Sequence, residues 1–396
     1  MVPELRRAYN EAFTEERYRA FLHELEGECG GPIAFAVSET PLFLSEELTG
    51  ELQKAAWEIL ETVTSEKYLS QTDRAVPAEL AVPGEDEKPA FLQIDFGLTA
   101  EGPRLIELQA FPSLYGFQWL LDQGFRKHFD IPAGLSPYFS GLDENTYVDV
   151  LREVIVGDCD PREVILLEVD PEQQKTRCDF AITEKLLGIT TVCPRDVKEQ
   201  DGNLVYGSGL PIRRIYNRVI FDELQRKGLA FDHLFRRDIR ELGAEWVGHP
   251  NWYLRISKFA LPFLRTPYAP EAHFVSDLRG TPDLDNWVLK PLFSFAGLGV
   301  ELGPSPERLR EIENPEDWLL QKKIEYAPAV ETLDVPAKAE VRMMFVWQDG
   351  KPRLVNNLVR MSKGKMMGVD FNKNKTWVGG TLGYHPIQAS ETSRGR

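Results

Sequence analysis

Three oxygen-bearing side chains near residue 100 have the chemistry of a magnesium site. Asp95 lies in one apolar stretch, and Glu107 and Gln109 lie in the next. Because alternate residues of a strand share a face, Glu107 and Gln109 project together, and a hairpin would bring Asp95 opposite them. Mg²⁺ prefers such oxygen ligands and retains bound phosphates. The spacing alone favours a solvent-facing strand with alternating polar residues, and two carboxylates at a suitable distance could instead hydrolyse a glycoside.

A lysine followed by a glycine-containing loop is a candidate for binding phosphate. Lys290 ends an apolar stretch, and Ser294, Gly297 and Gly299 follow it. Glycine lets backbone N–H groups approach phosphate oxygens, and lysine supplies the counter-charge. The GxxxxGK[ST] and GxGxxG spacings are absent, so neither a P-loop nor a dinucleotide fold is predicted. A plain hairpin turn is as compatible with the loop, and Lys258 is either a second phosphate contact or a surface lysine.

Two later stretches, which are otherwise apolar and are predicted to form strands, each contain polar side chains that could bind a ligand. Gln321 and Lys322 lie where one such pattern breaks into a polar connector, and Arg342 follows Glu340 by two residues. Arginine on that face can neutralise a phosphate or an anionic substrate. An internal pair between Glu340 and Arg342 explains the same spacing.

Apolar periodicity predicts the elements that must position these residues. Helical spacing covers residues 4–26, and a second helix is predicted from Ser45, as its N-cap, to residue 65. Residues 145–240 alternate strands with helical stretches, which predicts a small α/β unit. Further strands are predicted at 90–96, 104–109, 287–290, 318–322, 340–347 and 353–360.

Charge and composition exclude several classes of protein. The 396 residues include 46 Lys+Arg and 62 Asp+Glu, for a net charge of −16. Residues 336–396 carry +7, with 11 basic and 4 acidic side chains, which leaves −23 on residues 1–335. The negative charge of residues 1–335 argues against nucleic acid and membrane surfaces as partners. The positive charge of residues 336–396 suggests that an anion, such as a phosphate, binds there. Four cysteines form no disulfide framework and no apolar run reaches ~18 residues, so we expect a cytoplasmic protein.

The order of the later stretches resembles the nucleotide-binding lobes of ATP-grasp enzymes. In that superfamily a lysine and a glycine-containing loop, here after Lys290, precede a connector that cradles adenine, here 321–328. A Glu-x-Arg strand then follows, matched by Glu340 and Arg342. Two further stretches, 215–224 and 255–264, resemble the linker strand and the lysine-bearing helix of these enzymes.

The metal-binding strands point to one branch of the superfamily. They normally follow the nucleotide-binding elements, but here Asp95 and Glu107 precede them. This order resembles the circularly permuted ATP-grasp group, typified by the synthetase domain of glutathionylspermidine synthase. The resemblance extends over about residues 90–360 and is most specific at 94–113 and 288–300.

The resemblance implies a role for each candidate residue. The implied phosphate contacts are Lys258, Lys290, Ser294, Gly297 and Gly299, and the implied adenine contacts are Gln321, Lys322 and Ile324. The implied Mg²⁺ ligands are Asp95, Glu107 and Gln109, where the family has Asn at the position of Gln109. The implied acylphosphate contacts are Arg342 and Arg360.

The fold class implied is α+β, with two ATP-grasp-like lobes enclosing ATP and a small α/β domain of the pre-ATP-grasp kind. The expected divisions are a helical N-terminal segment (1–85), metal-binding strands (86–145), the small α/β domain (146–248) and nucleotide-binding lobes (249–390).

The implied activity is that of an ATP- and Mg²⁺-dependent ligase. A small-molecule or peptide carboxylate would become an acylphosphate, and an amine would displace phosphate to form an amide. A small-molecule kinase on the same scaffold and a non-catalytic nucleotide-binding regulator are the alternatives. The residues do not identify the acid, the amine or the oligomeric state.

Overall fold

The computed structural model describes residues 1–280, 283–293, 299–367 and 371–387, which form a mixed α+β architecture with several small sheets. The helices of this part are α1 (Pro3–Ala12), α2 (Glu15–Glu28), α3 (Glu46–Val63), α4 (Glu66–Leu69), α5 (Tyr115–His128), α6 (Glu144–Ile155), α7 (Arg177–Leu187), α8 (Phe221–Lys227), α9 (Asp232–Phe235), α10 (Pro250–Arg255) and α11 (Pro306–Arg310). The strands are β1 (Leu42–Phe43), β2 (Phe91–Thr99), β3 (Gly102–Gln109), β4 (Leu135–Ser136), β5 (Val164–Leu167), β6 (Thr190–Val192), β7 (Lys198–Gln200), β8 (Asn203–Tyr206), β9 (Leu210–Pro211), β10 (Arg214–Asn217), β11 (Glu245–Val247), β12 (Ala272–Phe274), β13 (Trp287–Pro291), β14 (Glu301–Leu302), β15 (Trp318–Lys322), β16 (Lys338–Gln348), β17 (Lys351–Ser362), β18 (Gly379–Thr381) and β19 (Gly383–Pro386).

A five-stranded antiparallel sheet combines strands from residues 91–109 with strands from residues 338–381. Its order is β18-β17-β16-β2-β3, so the hairpin of β2 and β3 pairs with the hairpin of β16 and β17. The predicted hairpin at 90–109 is confirmed, as are the long strands predicted at 340–347 and 353–360. We call this sheet the central sheet.

Alternation along β2 gives the central sheet one apolar face and a second face that is polar around Gln93 and Asp95 and apolar at Phe91 and Met344. The part around Asp95 is called the polar face. Leu92, Ile94 and Phe96 are fully buried in a cluster that also contains the inward side of α3. Each such side chain contributes roughly 1.5–3 kcal/mol through burial. The intervening positions, Gln93 and Asp95, therefore point to the opposite face.

A second antiparallel sheet, of order β12-β15-β13-β14, lies beside the edge strand β3. Lys290 and Gln321, from two of its strands, reach backbone carbonyls of β3. The edge of the central sheet is therefore covered by side chains, which satisfies carbonyl groups that strand pairing leaves free.

The predicted α/β unit contains a parallel sheet of order β11-β10-β5-β6. Its first strand, β5, lies between β6 on one side and β10 on the other. The chain runs from β5 to β6 on one side and then adds β10 and β11 on the other side. The strand order therefore reverses between β5 and β10.

Two helix predictions need correction. Residues 4–26 form two helices rather than one, because Phe13 is extended and the Thr14 hydroxyl accepts a hydrogen bond from the backbone of Arg17 to begin α2. The stretch 255–264 is not a continuous α-helix: α10 ends at Arg255, and a 3₁₀ segment with an internal proline spans Lys258–Phe263. The helix from Ser45 is confirmed. Among the described helices, none combines the length and apolar character needed to span a membrane.

Candidate functional site

The polar face of the central sheet brings four sequence-distant strands to one point. Asp95 on β2 lies opposite Glu107 on β3 and opposite Arg342 on β16. Glu340, two residues earlier on β16, lies opposite Arg360 on β17. The sheet register alone therefore collects five charged side chains on neighbouring positions.

Asp95 is the centre of this group. It is 1% exposed, and its carboxylate accepts hydrogen bonds from Arg342 Nε (2.5 Å) and Nη2 (2.7 Å), while Arg360 donates a third. Burial alone raises the pKa of Asp95, but the charges of Arg342 and then Arg360 outweigh it, and its pKa lies below the ordinary value. Asp95 is therefore held ionised between two guanidinium groups.

The second carboxylate, Glu340, pairs with Arg360 and not with Arg342. Arg360 Nη2 lies 2.8 Å from Glu340 Oε2, and the Tyr326 hydroxyl donates to the other oxygen. Burial raises the pKa of Glu340 despite the opposing charge of Arg360, and neighbouring Asp95 raises it further. Tyr326, in the connector after β15, was missed as a site residue, although the stretch that contains it was singled out.

Gln93 is a further site residue that the sequence did not single out. Its Oε1 accepts from Arg342 Nη1 (3.0 Å) and from Gln109 Nε2 (2.9 Å), and its Nε2 donates to Ser113 O (2.7 Å). Its position two residues before Asp95 is the signal that could have revealed it, because both share a face.

Lys290 approaches the group from β13. The Lys290 Nζ donates to Ile106 O (3.1 Å) and to Gln321 Oε1 (2.5 Å). Ile106 has no partner on β2 because the register shifts between Asp95 and Phe96, so this bulge exposes its carbonyl to the lysine. Burial lowers the pKa of Lys290 to about 8, an effect that Glu107 opposes.

Lys258 lies at the start of the 3₁₀ segment and is also buried. Burial lowers its pKa, and the charges of Glu107 and Asp222 act in the opposite direction. Lys258 in turn lowers the pKa of Lys290. The two lysines predicted to contact phosphate are therefore within electrostatic reach of each other and of Glu107.

The glycine loop is described only at its ends. Ser294 and Gly297 lie outside the described residues. Gly299 has φ +73°, in the left-handed region that glycine tolerates, and leads into β14, which pairs with β13. The loop therefore connects a hairpin whose first strand carries Lys290.

The connector after β15 crosses from one sheet to the other. Gln321 is buried between Lys290 and Leu105 O, to which its Nε2 donates (3.3 Å). Lys322 is exposed, and its backbone N–H donates to Glu271 O (2.8 Å). Ile324 packs against Gly97 of β2, where a Cβ atom would lie 2.7 Å from Ile324 Cδ1. The implied adenine contacts thus lie on one segment at the border of the polar face.

The implied magnesium ligands are brought together but fit a metal only in part. Both oxygens of Asp95 are engaged by guanidinium groups, so this carboxylate is not free to bind Mg²⁺ in the arrangement described. Glu107 is partly exposed, and the hydrogen bonds of Gln109 run through its nitrogen. Within the described residues no group of three or more His, Cys, Asp or Glu side chains has the arrangement of a metal site. Glu107 and Gln109 remain the oxygen donors that suit the ion.

In the described part of this site, four cationic side chains surround three carboxylates. They are Lys258, Lys290, Arg342 and Arg360 with Asp95, Glu107 and Glu340. When all are ionised these seven side chains carry one net positive charge, and the nearby carboxylate of Asp222, which also acts on Lys258, offsets it. The setting is partly dehydrated, so charge interactions are stronger there than in water. The lysine and arginine side chains of this cluster are groups that can pair with an anion.

Comparisons with known proteins add little to this geometry. No family model matches the chain, and no curated protein matches it. The structure is similar to that of "Putative gamma-glutamylcysteine synthetase" from Methylobacillus flagellatus KT, at 13% sequence identity and a TM-score of 0.40, over 87% of this chain and 89% of that chain. Both the identity and the TM-score are too low for this likeness to indicate a function.

Proposed function

We propose that this chain is an ATP-dependent carboxylate–amine ligase with an ATP-grasp-like arrangement of two lobes. The observation that supports it is the convergence of Lys258, Lys290, Arg342 and Arg360 on the polar face of the central sheet. These side chains come from separate stretches whose chain order resembles the circularly permuted ATP-grasp group.

Each part of the site has a distinct task in this proposal. Lys258 and Lys290 hold the phosphate chain, and their low solvent exposure strengthens that contact. Glu107 and Gln109 would hold Mg²⁺, which when bound neutralises charge on the β- and γ-phosphates. The connector through Gln321 and Ile324 borders the adenine.

The chemistry needs no protein nucleophile. A substrate carboxylate oxygen attacks the γ-phosphorus of ATP, the bond to the β-phosphate oxygen breaks, and acylphosphate and ADP form. The amine then attacks the acyl carbon, loses a proton to solvent and expels phosphate, which leaves the amide. Positioning and charge stabilisation supply the rate.

The two arginines differ in what they can reach. The Arg342 side chain is 9% exposed and is held by three hydrogen bonds, to Asp95 and Gln93, whereas 36% of Arg360 is exposed. We therefore assign the acylphosphate contact chiefly to Arg360 and assign Arg342 the role of fixing Asp95.

A non-catalytic nucleotide-binding regulator is the second candidate. The observation that favours it is Asp95, whose oxygens are already engaged by Arg342 and Arg360. A catalytic centre that needs Asp95 as a metal ligand would have to break these ion pairs.

The deciding experiment is ADP release by the purified chain with Mg²⁺, ATP and panels of carboxylic acids and amines. A ligase releases ADP with an acid and forms amide and phosphate only when an amine is added. Phosphate that stays on the acid indicates a kinase, and nucleotide binding without turnover indicates a regulator. Lys290→Met should weaken nucleotide binding roughly 10- to 100-fold, whereas Lys54→Met, at a lysine on α3 whose side chain is 68% exposed, should not weaken it. Absence of nucleotide binding by the wild-type chain would refute the proposal.

A further inference from the structure

The side-chain amide of Gln93 is fixed in one orientation by partners that cannot exchange roles. Its Oε1 accepts from Arg342 Nη1 (3.0 Å), and its Nε2 donates to Ser113 O (2.7 Å). A guanidinium group can only donate and a backbone carbonyl can only accept, so turning the amide over would place donor against donor and acceptor against acceptor. Because Gln93 is fully buried, such lost hydrogen bonds would be costly.

The oxygen of Gln93 in turn orients the amide of Gln109, which lies opposite it on β3. Gln109 Nε2 donates to Gln93 Oε1 (2.9 Å) and to Phe111 O (3.1 Å). An amide nitrogen has two hydrogens, and these two acceptors use both. The oxygen of Gln109 therefore points away from Gln93 and Phe111. It lies on the face of β3 that carries Glu107, since alternate residues of a strand share a face.

The position of the Ser113 carbonyl is fixed from outside the central sheet. Ser113 lies in the segment that joins β3 to α5, and both of its neighbours are held by side chains. Pro112 O accepts a hydrogen bond from Arg218, which follows β10, and the backbone N–H of Leu114 donates to Asp179 Oδ2 on α7 (3.0 Å). The carbonyl to which the glutamine amide donates is therefore positioned by contacts from the α/β unit.

The contact with Phe111 O does not by itself fix the direction of the Gln109 amide. One hydrogen bond to the nitrogen lets the amide turn about that contact, whereas two acceptors on different sides leave a single direction for the oxygen. An amide oxygen is a ligand for Mg²⁺, and the NH₂ group of the same amide is not. The direction of Gln109 thus decides whether this position attracts or repels a divalent cation.

We propose that Gln93 is a positioning residue that directs the oxygen of Gln109 toward the divalent cation of the proposed ATP site. The inference rests on the proposed function and concerns how Glu107 and Gln109 hold the cation there. Gln93 does not touch the cation and acts through Gln109. Its contact with Arg342 also keeps that guanidinium group beside Asp95.

The test is titration of the full chain with Mn²⁺, which takes the same oxygen ligands as Mg²⁺ and whose EPR signal reports the unbound ion. Gln93→Met retains the length of the side chain and removes its three hydrogen bonds. It should weaken Mn²⁺ binding roughly 10-fold, as loss of a group that orients a metal ligand does. Gln118→Met is the matched control, because Gln118 is also buried and donates to two backbone carbonyls, but these lie on β17 and β18. Its Mn²⁺ binding should equal that of the wild type.

A double variant separates positioning from a general loss of structure. If Gln93 acts through Gln109, Gln109→Met already removes its contribution, and adding Gln93→Met should weaken Mn²⁺ binding no further. Gln93→Glu keeps an acceptor for the Gln109 amide and adds a negative charge, so it should bind Mn²⁺ at least as tightly as the wild type.

The inference is overturned if the wild type binds no Mn²⁺, if Gln93→Met binds it as the wild type does, if Gln93→Glu binds it as weakly as Gln93→Met, or if the two methionine substitutions weaken binding additively. Formation of ADP and amide from ATP, acid and amine is measured on the same samples. Gln93-dependent Mn²⁺ binding without these products refutes the ligase alone. ATP-dependent amide formation with Mn²⁺ binding that does not depend on Gln93 refutes the positioning role alone.

Discussion

The ion pairs of Asp95 provide a sharp test of the site. Asp95→Asn keeps the size of the side chain but removes its charge, and it turns one hydrogen-bond acceptor into a donor. That donor would face the N–H groups of Arg342 or Arg360, which now donate to the carboxylate. Both guanidinium groups would lose their shared anion.

The expected cost follows from the burial of the pair. Breaking a buried ion pair from one side costs about 3–5 kcal/mol, because the remaining charge is left uncompensated. For a chain of 396 residues, the unfolding entropy is about 0.8 kcal/mol per kelvin. We therefore expect Asp95→Asn to lower the Tm by about 4–6 °C near neutral pH.

The pH dependence has a defined sign. The pKa of Asp95 is lowered in the folded state. The stabilisation of the folded state by ionised Asp95 is therefore complete above the unfolded pKa of about 3.9, and it is lost as the pH falls through the folded pKa. The difference in Tm between wild type and Asp95→Asn should therefore be constant above about pH 5 and narrow below about pH 4.

The assay is differential scanning calorimetry at low ionic strength over this pH range. Glu101→Gln is the control, since Glu101 is largely exposed and its pair with Arg104 should contribute little. An unchanged or raised Tm for Asp95→Asn would refute the reasoning. It would mean that the arginines do not stabilise the carboxylate and that Asp95 is an uncompensated charge suited to a metal.

Three further predictions concern neighbouring residues. Lys290→Met should weaken ATP binding roughly 10- to 100-fold in titration calorimetry. Because the pKa of Lys290 is about 8, wild-type affinity should fall above that pH, while wild-type stability relative to the variant rises from about pH 8 to 10.4. Gly97→Ala should cost about 1–3 kcal/mol in urea unfolding, since the new Cβ would lie 2.7 Å from atoms of Ile324 and Tyr326. Arg360→Lys should cost about 1–3 kcal/mol in the same assay, because one ammonium cannot reproduce the guanidinium contacts to two carboxylates.

Each of these variants has a control at a position without the proposed contact. Lys54→Met tests loss of a lysine at the surface, and Gly134→Ala adds a Cβ with no atom within 4 Å. Arg7→Lys changes an exposed arginine whose one ion pair is 3.8 Å long. Effects in the controls equal to those of the site variants would contradict the assigned contacts.

Local features of the site were predictable because they depend on residues close in sequence. The alternation of 92–96 determined that Asp95 lies on the polar face of its strand, and the nearby turn determined the hairpin that brings Glu107 opposite it. The strand that carries Lys290 and the N-cap at Ser45 were predictable for the same reason.

The partners of the charged residues were not predictable, because they depend on the pairing of strands remote in sequence. Asp95 and Arg342 are 247 residues apart and meet only through the register of β2 and β16. The spacing of Glu340 and Arg342 suggested a pair between them, but the cross-strand position of Arg360 supplies the partner of Glu340.

The sequence by itself determined which residue types and faces are available for phosphate and metal chemistry, since side-chain alternation is a property of the local backbone. Tertiary structure alone decided that Asp95 is neutralised by two arginines and that a bulge at Ile106 offers a carbonyl to Lys290. The physical reason is that charge compensation and burial depend on distances in space, which the order of residues does not contain.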